Sequence, residues 1–315
     1  MILVTGAAGF IGSHVCEALI KEKKQVIGID NFNDYYSPKI KESNITSLKQ
    51  NNNFTLYKED IKNPGAFKNI FKNNKIDKII HLAARVGVRP SISMPDIYIK
   101  DNVQGTLNML ESAKENGIKN FVFGSSSSVY GGNKKIPFSE NDDVNSQISP
   151  YGFTKRSCEL LCNTYHNLYG INIACLRFFT VYGPRGRPDM AIYKFTKMIN
   201  EGKEIEVYGD GASKRDYTYI SDIARGILLA LEKNNGFKVI NLGNNNPIVL
   251  KDVISSIENN LGKKAKIKKV QKQPGDMDAT YADISKAKKL LQWSPKINFD
   301  EGIKNFVGWF KNNGI

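Results

Sequence analysis

The chain has 315 residues, 41 % of them hydrophobic, and 45 Lys and Arg against 31 Asp and Glu give a formal net charge of +14. That apolar fraction supports a sizeable core and excludes wholesale disorder, while the length suits about two domains at roughly 150 residues each. No apolar run approaches the ~18 residues of a membrane-spanning helix, so no membrane partner is expected.

Taken in chain order, residues 2–5 are apolar, with no basic stretch ahead of them and no small-residue cleavage site behind. They read as a first strand and not a leader, and a cytoplasmic protein is expected. A glycine turn follows, then helical spacing over 13–22. Further strands are predicted at 26–30, 54–57, 79–83, 121–125 and 173–179, with helices at 64–73, 101–116 and 151–169 between them. Strand and helix alternating in this way predict an α/β fold, a doubly wound parallel sheet of the Rossmann type. Near-continuous apolar strands such as Lys78-Ile79-Ile80-His81-Leu82-Ala83 suit a sheet covered on both faces. After Phe179 the alternation stops at the turn-rich Tyr182-Gly183-Pro184-Arg185-Gly186-Arg187-Pro188. Helices are then predicted at 191–201, 221–233, 250–261 and 283–291. The expected division is a dinucleotide-binding domain over 1–176 plus about 215–240, and a smaller C-terminal α/β domain for substrate over 177–214 plus 241–315.

The four cysteines form no Cys-x-x-Cys pair. Cys158 and Cys162 stand one helical turn apart with no second ligand pair, so buried thiols are expected and no metal. Lysine is spread along the chain, and its densest run, 263–269, has no interleaved aromatics; it reads as a solvated strand face, and no nucleic-acid partner is expected. Only eight of the 45 cations are Arg. A chain so sparing of Arg has specific uses for those it keeps, because a guanidinium forks onto carboxylate or phosphate as an ammonium cannot.

Two constellations carry chemistry. Gly6-Ala7-Ala8-Gly9-Phe10-Ile11-Gly12 lies directly after a strand and opens a helix. Glycines there permit a tight turn and close approach of a diphosphate, met by the helix N-terminus. Asp30 ends the second strand, where an acid accepts from an adenosine ribose and repels a 2′-phosphate, favouring NAD over NADP. The second constellation is Tyr151 and Lys155, four apart on one helix face, with a serine cluster at 125–128 ending the fifth strand. A nearby ammonium is expected to lower the tyrosine pKa toward working pH, and a strand-end serine to hold the oxygen on which the phenol acts.

Together these residues resemble the extended short-chain dehydrogenase/reductases over essentially the whole chain. The resemblance also rests on Asp60-Ile61, His81-Leu82-Ala83-Ala84, Asp101-Asn102-Val103-Gln104-Gly105-Thr106, Ser126-Ser127-Ser128-Val129-Tyr130-Gly131 and Arg215-Asp216-Tyr217-Thr218-Tyr219-Ile220. It implies Tyr151 as catalytic base and acid, Lys155 on the nicotinamide ribose, and Ser126 assisting. It implies NAD as cofactor, bound by Gly6, Gly9, Phe10, Ile11, Gly12, Asp30, Asn31, Asp60, Ile61, Leu82, Ala83, Ala84, Asn102, Tyr151, Lys155 and Phe179. His81 is expected to be a packed core residue. A homodimer through the helices near Asp101 and Tyr151, and a place in polysaccharide biosynthesis, are implied in the same way.

Members similar to the 4,6-dehydratases carry Asp-Glu after the catalytic Ser or Thr; Ser127-Ser128 stand there, which disfavours dehydration. The stretches 30–36 and 177–190 resemble the UDP-glucuronate 4-epimerases in particular. The implied reaction inverts C4 of a UDP-sugar, UDP-glucuronate to UDP-galacturonate, through a transient 4-keto intermediate. Such an intermediate is a β-keto acid, which loses CO2 when its carboxylate turns perpendicular to the ketone plane. Arg187, with the hydroxyls of Thr180 and Ser127, is the expected carboxylate clamp. Arg215 and Arg89 would meet the nucleotide diphosphate, Tyr208 would help hold the uridine, and Asp276 would take its ribose. The alternatives are a UDP-glucose 4-epimerase, a UDP-glucuronate decarboxylase and, outside enzymes, an NAD sensor or RNA-binding protein.

Overall fold

The computed structural model describes residues 1–271 and 279–313. Its strands, in chain order, are β1 (Ile2–Thr5), β2 (Val26–Ile29), β3 (Phe54–Tyr57), β4 (Lys78–His81), β5 (Asn120–Ser126) and β6 (Asn172–Phe178). Beyond Phe179 come β7 (Thr180–Tyr182), β8 (Glu204–Tyr208), β9 (Lys214–Tyr219), β10 (Phe237–Leu242), β11 (Pro247–Val249), β12 (Lys266–Val270) and β13 (Ala279–Thr280). The main sheet has seven strands in the order β10-β6-β5-β4-β1-β2-β3, all parallel.

The strand pleat sorts its side chains into two cores. Val4, Ile80, Val122 and Leu176 pack on one face with Ile223, Ile227 and Trp293. Leu3, Ile79, Phe121 and Ile173 pack on the other with Leu110, Cys158 and Cys162. Burial on both faces explains why these strands read as unbroken apolar runs. The cysteines are free and buried.

The helix Phe10–Lys21 begins three residues earlier than its apolar spacing predicts, because Gly9 is its N-cap in extended conformation. The predicted helix 101–116 divides into a π-type turn, Ile99–Gln104, and a regular helix, Gly105–Glu115; the π turn directs Asp101 and Asn102 inward, where both are buried. The helix Pro150–Tyr169 has the terminal chemistry that its sequence promises. Ser149 Oγ accepts from Gly152 N at 3.0 Å, Pro150 opens the first turn, and Gly170 ends it in the left-handed region at φ 64. Its middle is fixed to the sheet by a buried ion pair: Arg177 on β6 donates twice to Glu159, at 2.8 and 2.8 Å, and Ser125 Oγ donates to the same carboxylate at 2.7 Å.

The smaller part comprises β7, β9, β11 and β13 in one sheet, the β8–β12 pair, and the helices Ala191–Asn200, Leu250–Leu261 and Phe299–Asn312. Tyr193, Ile205, Tyr217, Ile257, Ile303 and Phe306 belong to its core. The division differs from the expected one at its edges: residues 177–178, 241–242 and 285–291 go with the main sheet, while β9, expected there from about 215, belongs to the smaller part. Strand β10 extends the main sheet through Leu242. The helix Ser285–Leu291 packs through Ala287 and Leu291 with Ile223, and the following Trp293 donates from Nε1 to Asp222 O at 2.9 Å. The Asp222 carboxylate takes Lys296 N and Ile297 N at 2.9 and 3.0 Å, so the chain crosses between the two parts at a hydrogen-bonded junction. The lysines of β12 are exposed.

Candidate active site

A cleft of ≈ 520 Å³ runs across the carboxyl ends of the main-sheet strands, with Thr180, Arg187 and Arg215 closing it from the smaller part. This is the side of an open parallel sheet on which ligands bind.

One end is made chiefly of backbone. Gly6 has φ +70, and a Cβ on it would stand 2.9 Å from Ala83 N; a Cβ on Gly12 would stand 2.0 Å from Gly6 O. The turn therefore closes only with glycine at both positions. Asp30 is buried at the end of β2, its Oδ2 accepting from Ala8 N at 3.1 Å and its Oδ1 from Phe32 N at 2.9 Å. Burial raises its pKa, against the pull of these donors and of Lys41; each oxygen keeps a lone pair for a ligand hydroxyl. Asn31 Nδ2 donates to Asp60 Oδ2 at 3.0 Å, which ties two predicted adenosine-side residues together. Asp60 is buried enough to push its carboxyl up, yet Lys62 N, Asn31 and the Lys62 ammonium hold it below the usual range. Lys62 also reaches Asp101 at 2.5 Å, and Asp101 takes Arg85 Nε at 2.8 Å.

The other end is made of side chains. Tyr151 is buried with its ring edge-on to Tyr98, centroids 6.1 Å apart. Its backbone N–H donates to Ser91 Oγ at 3.1 Å, and Ser126, whose hydroxyl donates to Ser128 Oγ at 3.0 Å, lines the same cleft as its phenol. Ser126 Oγ also accepts from Ser128 N at 3.1 Å, which fixes the serine at the mouth of the cleft. Lys155 is buried one turn along, its Nζ donating to Gly124 O at 2.6 Å and lying 4.9 Å from the Phe123 centroid. Burial lowers its pKa to about 8.

The expected effect of Lys155 on the phenol is not what this geometry gives. Burial raises the Tyr151 pKa, and the influences that oppose it are the Ser126 hydroxyl and then the charge of Arg187. The ammonium is turned to the Gly124 carbonyl, so the guanidinium is the cation that draws on Tyr151.

Of the predicted positions, Gly6, Gly9, Phe10, Ile11, Gly12, Asp30, Asn31, Asp60, Ile61, Leu82, Ala83, Ala84, Arg89, Ser126, Ser127, Tyr151, Lys155, Phe179, Thr180, Arg187 and Arg215 line the one cleft. Asn102 does not line it. Its amide is spent behind the wall, accepting from Arg85 N at 2.7 Å and donating to Arg85 O at 3.0 Å and Thr154 Oγ1 at 2.9 Å. Tyr208 reaches the cleft only through Arg89, whose guanidinium carbon lies 4.5 Å from its ring centroid. Asp276 lies outside the described residues. His81 is buried between Thr5 Oγ1 at 2.7 Å and Thr106 Oγ1 at 3.2 Å. Burial, then the charge of Lys155, lowers its pKa to about 3, so it packs as a neutral ring. Among the described residues no cluster could hold a metal, and no helix is long and apolar enough to cross a membrane.

Sequence reasoning missed Tyr35, Lys41, Lys62, Arg85 and Asp101 as lining residues. Arg85 was within reach as one of the few arginines, shortly after β4, and Tyr35 and Asp101 stand in segments that carry the resemblance; Lys62 had no local signal.

A doubly wound parallel sheet, a glycine turn at its switch point and a Ser-Tyr-Lys set facing that turn define a nucleotide-dependent dehydrogenase or epimerase scaffold. The chain belongs to the extended short-chain dehydrogenase/reductases, in the family described as GDP-mannose 4,6 dehydratase, whose sequence pattern matches residues 3–306. More particularly, it is 49 % identical over 312 residues to the UDP-glucuronate 4-epimerase of Thermodesulfobacterium geofontis, covering 99 % of this chain and 96 % of that one. Among solved structures it matches the UDP-glucuronic acid 4-epimerase from Bacillus cereus, in complex with UDP-glucuronic acid and NAD, with a TM-score of 0.93 and 42 % identity over 99 % of each chain. It matches the Thermotoga maritima UDP-glucose 4-epimerase with UDP-glucose at a TM-score of 0.91 and 33 % identity, again over 99 % of each chain.

Proposed function

We propose that this chain is an NAD-dependent epimerase that inverts C4 of UDP-glucuronate to give UDP-galacturonate. The observation that carries the reading is Arg187 and Tyr151 lining the same cleft as the glycine turn.

The residues present fit NAD. Gly6, Gly9, Phe10, Ile11 and Gly12 would hold its diphosphate against a helix N-terminus, Asp30, Asn31, Asp60 and Ile61 its adenosine, and Leu82, Ala83, Ala84 and Phe179 the remainder, with Lys155 on the nicotinamide ribose. Bound there, NAD supplies a reversible hydride acceptor for C4. Tyr151 takes the proton of the 4-hydroxyl and returns it on the opposite face once the sugar has turned. Ser126 holds the reacting oxygen. Arg187, Ser127 and Thr180 grip the carboxylate, and Arg89 and Arg215 meet the diphosphate. Ser127 and Ser128 offer hydroxyls where a dehydratase needs carboxyls, so water elimination has no acid–base pair.

The active form pairs two copies. Phe153 and Leu160 on the catalytic helix and Ile92 and Ile99 beside it are large apolar side chains left exposed, and a second copy covers them. Light scattering then reads twice the 35.3 kDa of the chain; a monomer contradicts the pairing.

The test is to incubate the purified protein with UDP-glucuronate or UDP-glucose and resolve the products by mass and chromatography. An epimer of unchanged mass from UDP-glucuronate supports the reading. A UDP-pentose with CO2 release makes the chain a decarboxylase, and turnover of UDP-glucose alone makes it a neutral-sugar epimerase.

A further inference from the structure

Arg187 is held from two sides by groups to which the reading above gives no role. Its Nε donates to Asp189 Oδ1 at 3.0 Å and its Nη2 to Asp189 Oδ2 at 2.5 Å. Its guanidinium carbon lies 5.4 Å from the ring centroid of Tyr35. That ring is itself held: Arg85 stands 5.8 Å from the same centroid, and a Cβ on Gly87 would stand 2.8 Å from its oxygen. The stretches 30–36 and 177–190, more than a hundred residues apart in sequence, therefore meet at one guanidinium.

The partition of donors says what the arrangement does. A guanidinium has five N–H groups in a rigid plane. The Asp189 fork uses the Nε/Nη2 edge, which leaves the Nη1 side for the cleft. Arg187 and Tyr35 line the cleft and Asp189 does not. The acid therefore grips the arginine from behind, while the ring sets the plane of the guanidinium from its face. An arginine held only by its own aliphatic stem would rotate about its last torsions and carry a gripped carboxylate with it.

Resting on the epimerase reading, we propose that Asp189 and Tyr35 are positioning residues that lock the Arg187 guanidinium, so that the sugar carboxylate stays near the plane of the 4-keto group and CO2 is retained. In the loss they prevent, the bond from C5 to the carboxylate carbon breaks and CO2 departs. The electron pair passes to C5 and onto the 4-keto oxygen as an enolate, and C5 then takes a proton from solvent; no oxidant or reductant is consumed. Arg187 supplies the grip, and its two neighbours supply the angle.

The experiment uses the full chain with NAD and carboxyl-labelled UDP-glucuronate, counting labelled CO2 against UDP-galacturonate formed. Wild type gives the epimer with CO2 at trace level. Asp189→Asn keeps the shape but loses the charged fork, and the ratio of CO2 to epimer rises about tenfold or more, as expected for a misplaced clamp. Asp189→Glu brings the ratio back toward wild type, and Tyr35→Leu raises it in the same direction. An unchanged ratio in Asp189→Asn overturns the proposal even if kcat falls, because a merely structural residue lowers turnover without redirecting it. A lower KM at unchanged ratio overturns it as well, making Asp189 a competitor for the clamp. If Asp189→Asn does not fold, Tyr35→Leu decides alone, and an unchanged ratio there overturns the proposal. If wild type itself forms no epimer, the epimerase reading fails and this inference falls with it, an outcome distinct from all the others.

Discussion

At the glycine turn the cleft is lined by backbone from two adjacent strands and one helix start; at Arg187 it is lined by side chains brought in from at least four separate segments, around residues 35, 126, 151 and 187. The first end is rigid because two glycines leave no room for anything else. The second is held by side-chain contacts, Tyr151 through Ser91 and the edge of Tyr98, Arg187 through Asp189 and the ring of Tyr35. One end is specified locally and serves any dinucleotide-dependent relative. The other is assembled by the tertiary fold, and on the proposed reading it is the end that selects the substrate.

Substitutions should separate the two ends. The largest effect falls at the sugar end: Tyr151→Phe should bind NAD as wild type does yet lose about three orders of magnitude in kcat, as removal of a general acid–base group does. Retained NAD by absorbance together with lost turnover checks it. Next comes the anchor behind both ends. Glu159→Gln leaves Arg177 buried without its carboxylate, and should cost roughly 3–5 kcal/mol of stability, read as a lower denaturant midpoint.

Arg187→Met should lower kcat/KM for UDP-glucuronate about a hundredfold and leave NAD affinity alone. Asp30→Ala should do the reverse, weakening NAD about tenfold through lost charge-assisted bonds with little effect on the sugar preference. If both substitutions change both quantities equally, the division between the two ends fails.

The smallest effect concerns Lys155. Its folded pKa is lowered by burial from 10.5 to about 8, so between those values the unfolded chain binds a proton that the folded chain does not. Stability therefore gains from this group as pH rises through about 8 toward 10.5. Without added cofactor, wild type should gain in Tm over that window relative to Lys155→Met; parallel curves for the two proteins contradict the assignment.

The legible parts of the molecule were those in which a short segment fixes its own shape. The strands at β1 and β3 and the helices Pro64–Asn73 and Leu250–Leu261 fall where apolar spacing and end signals place them. The glycine turn announces itself because its shape requires its residues. The helix Phe299–Asn312 went unread even though Phe299, Ile303, Phe306, Val307 and Phe310 are all buried along one face; its spacing was present and went unused. Other features had no local signal. Asn102 lies in a matching segment, but only the π turn at Ile99–Gln104 shows that its amide faces Arg85 and not the cleft. The direction of the Tyr151 shift depends on burial, which no spacing of Tyr and Lys reveals. Asp189 lies two residues beyond Arg187 in plain view, yet its fork follows from the path of the turn after β7.

The central claim is that C4 gives up its hydrogen within the closed cleft and receives the same one back on the other face, with Tyr151 handling the proton. UDP-glucuronate carrying deuterium at C4, incubated with the protein in ordinary water, tests it most directly. The account predicts UDP-galacturonate that keeps the deuterium at C4 and gains none of its hydrogen from solvent. Product that has exchanged its label for solvent hydrogen would contradict it.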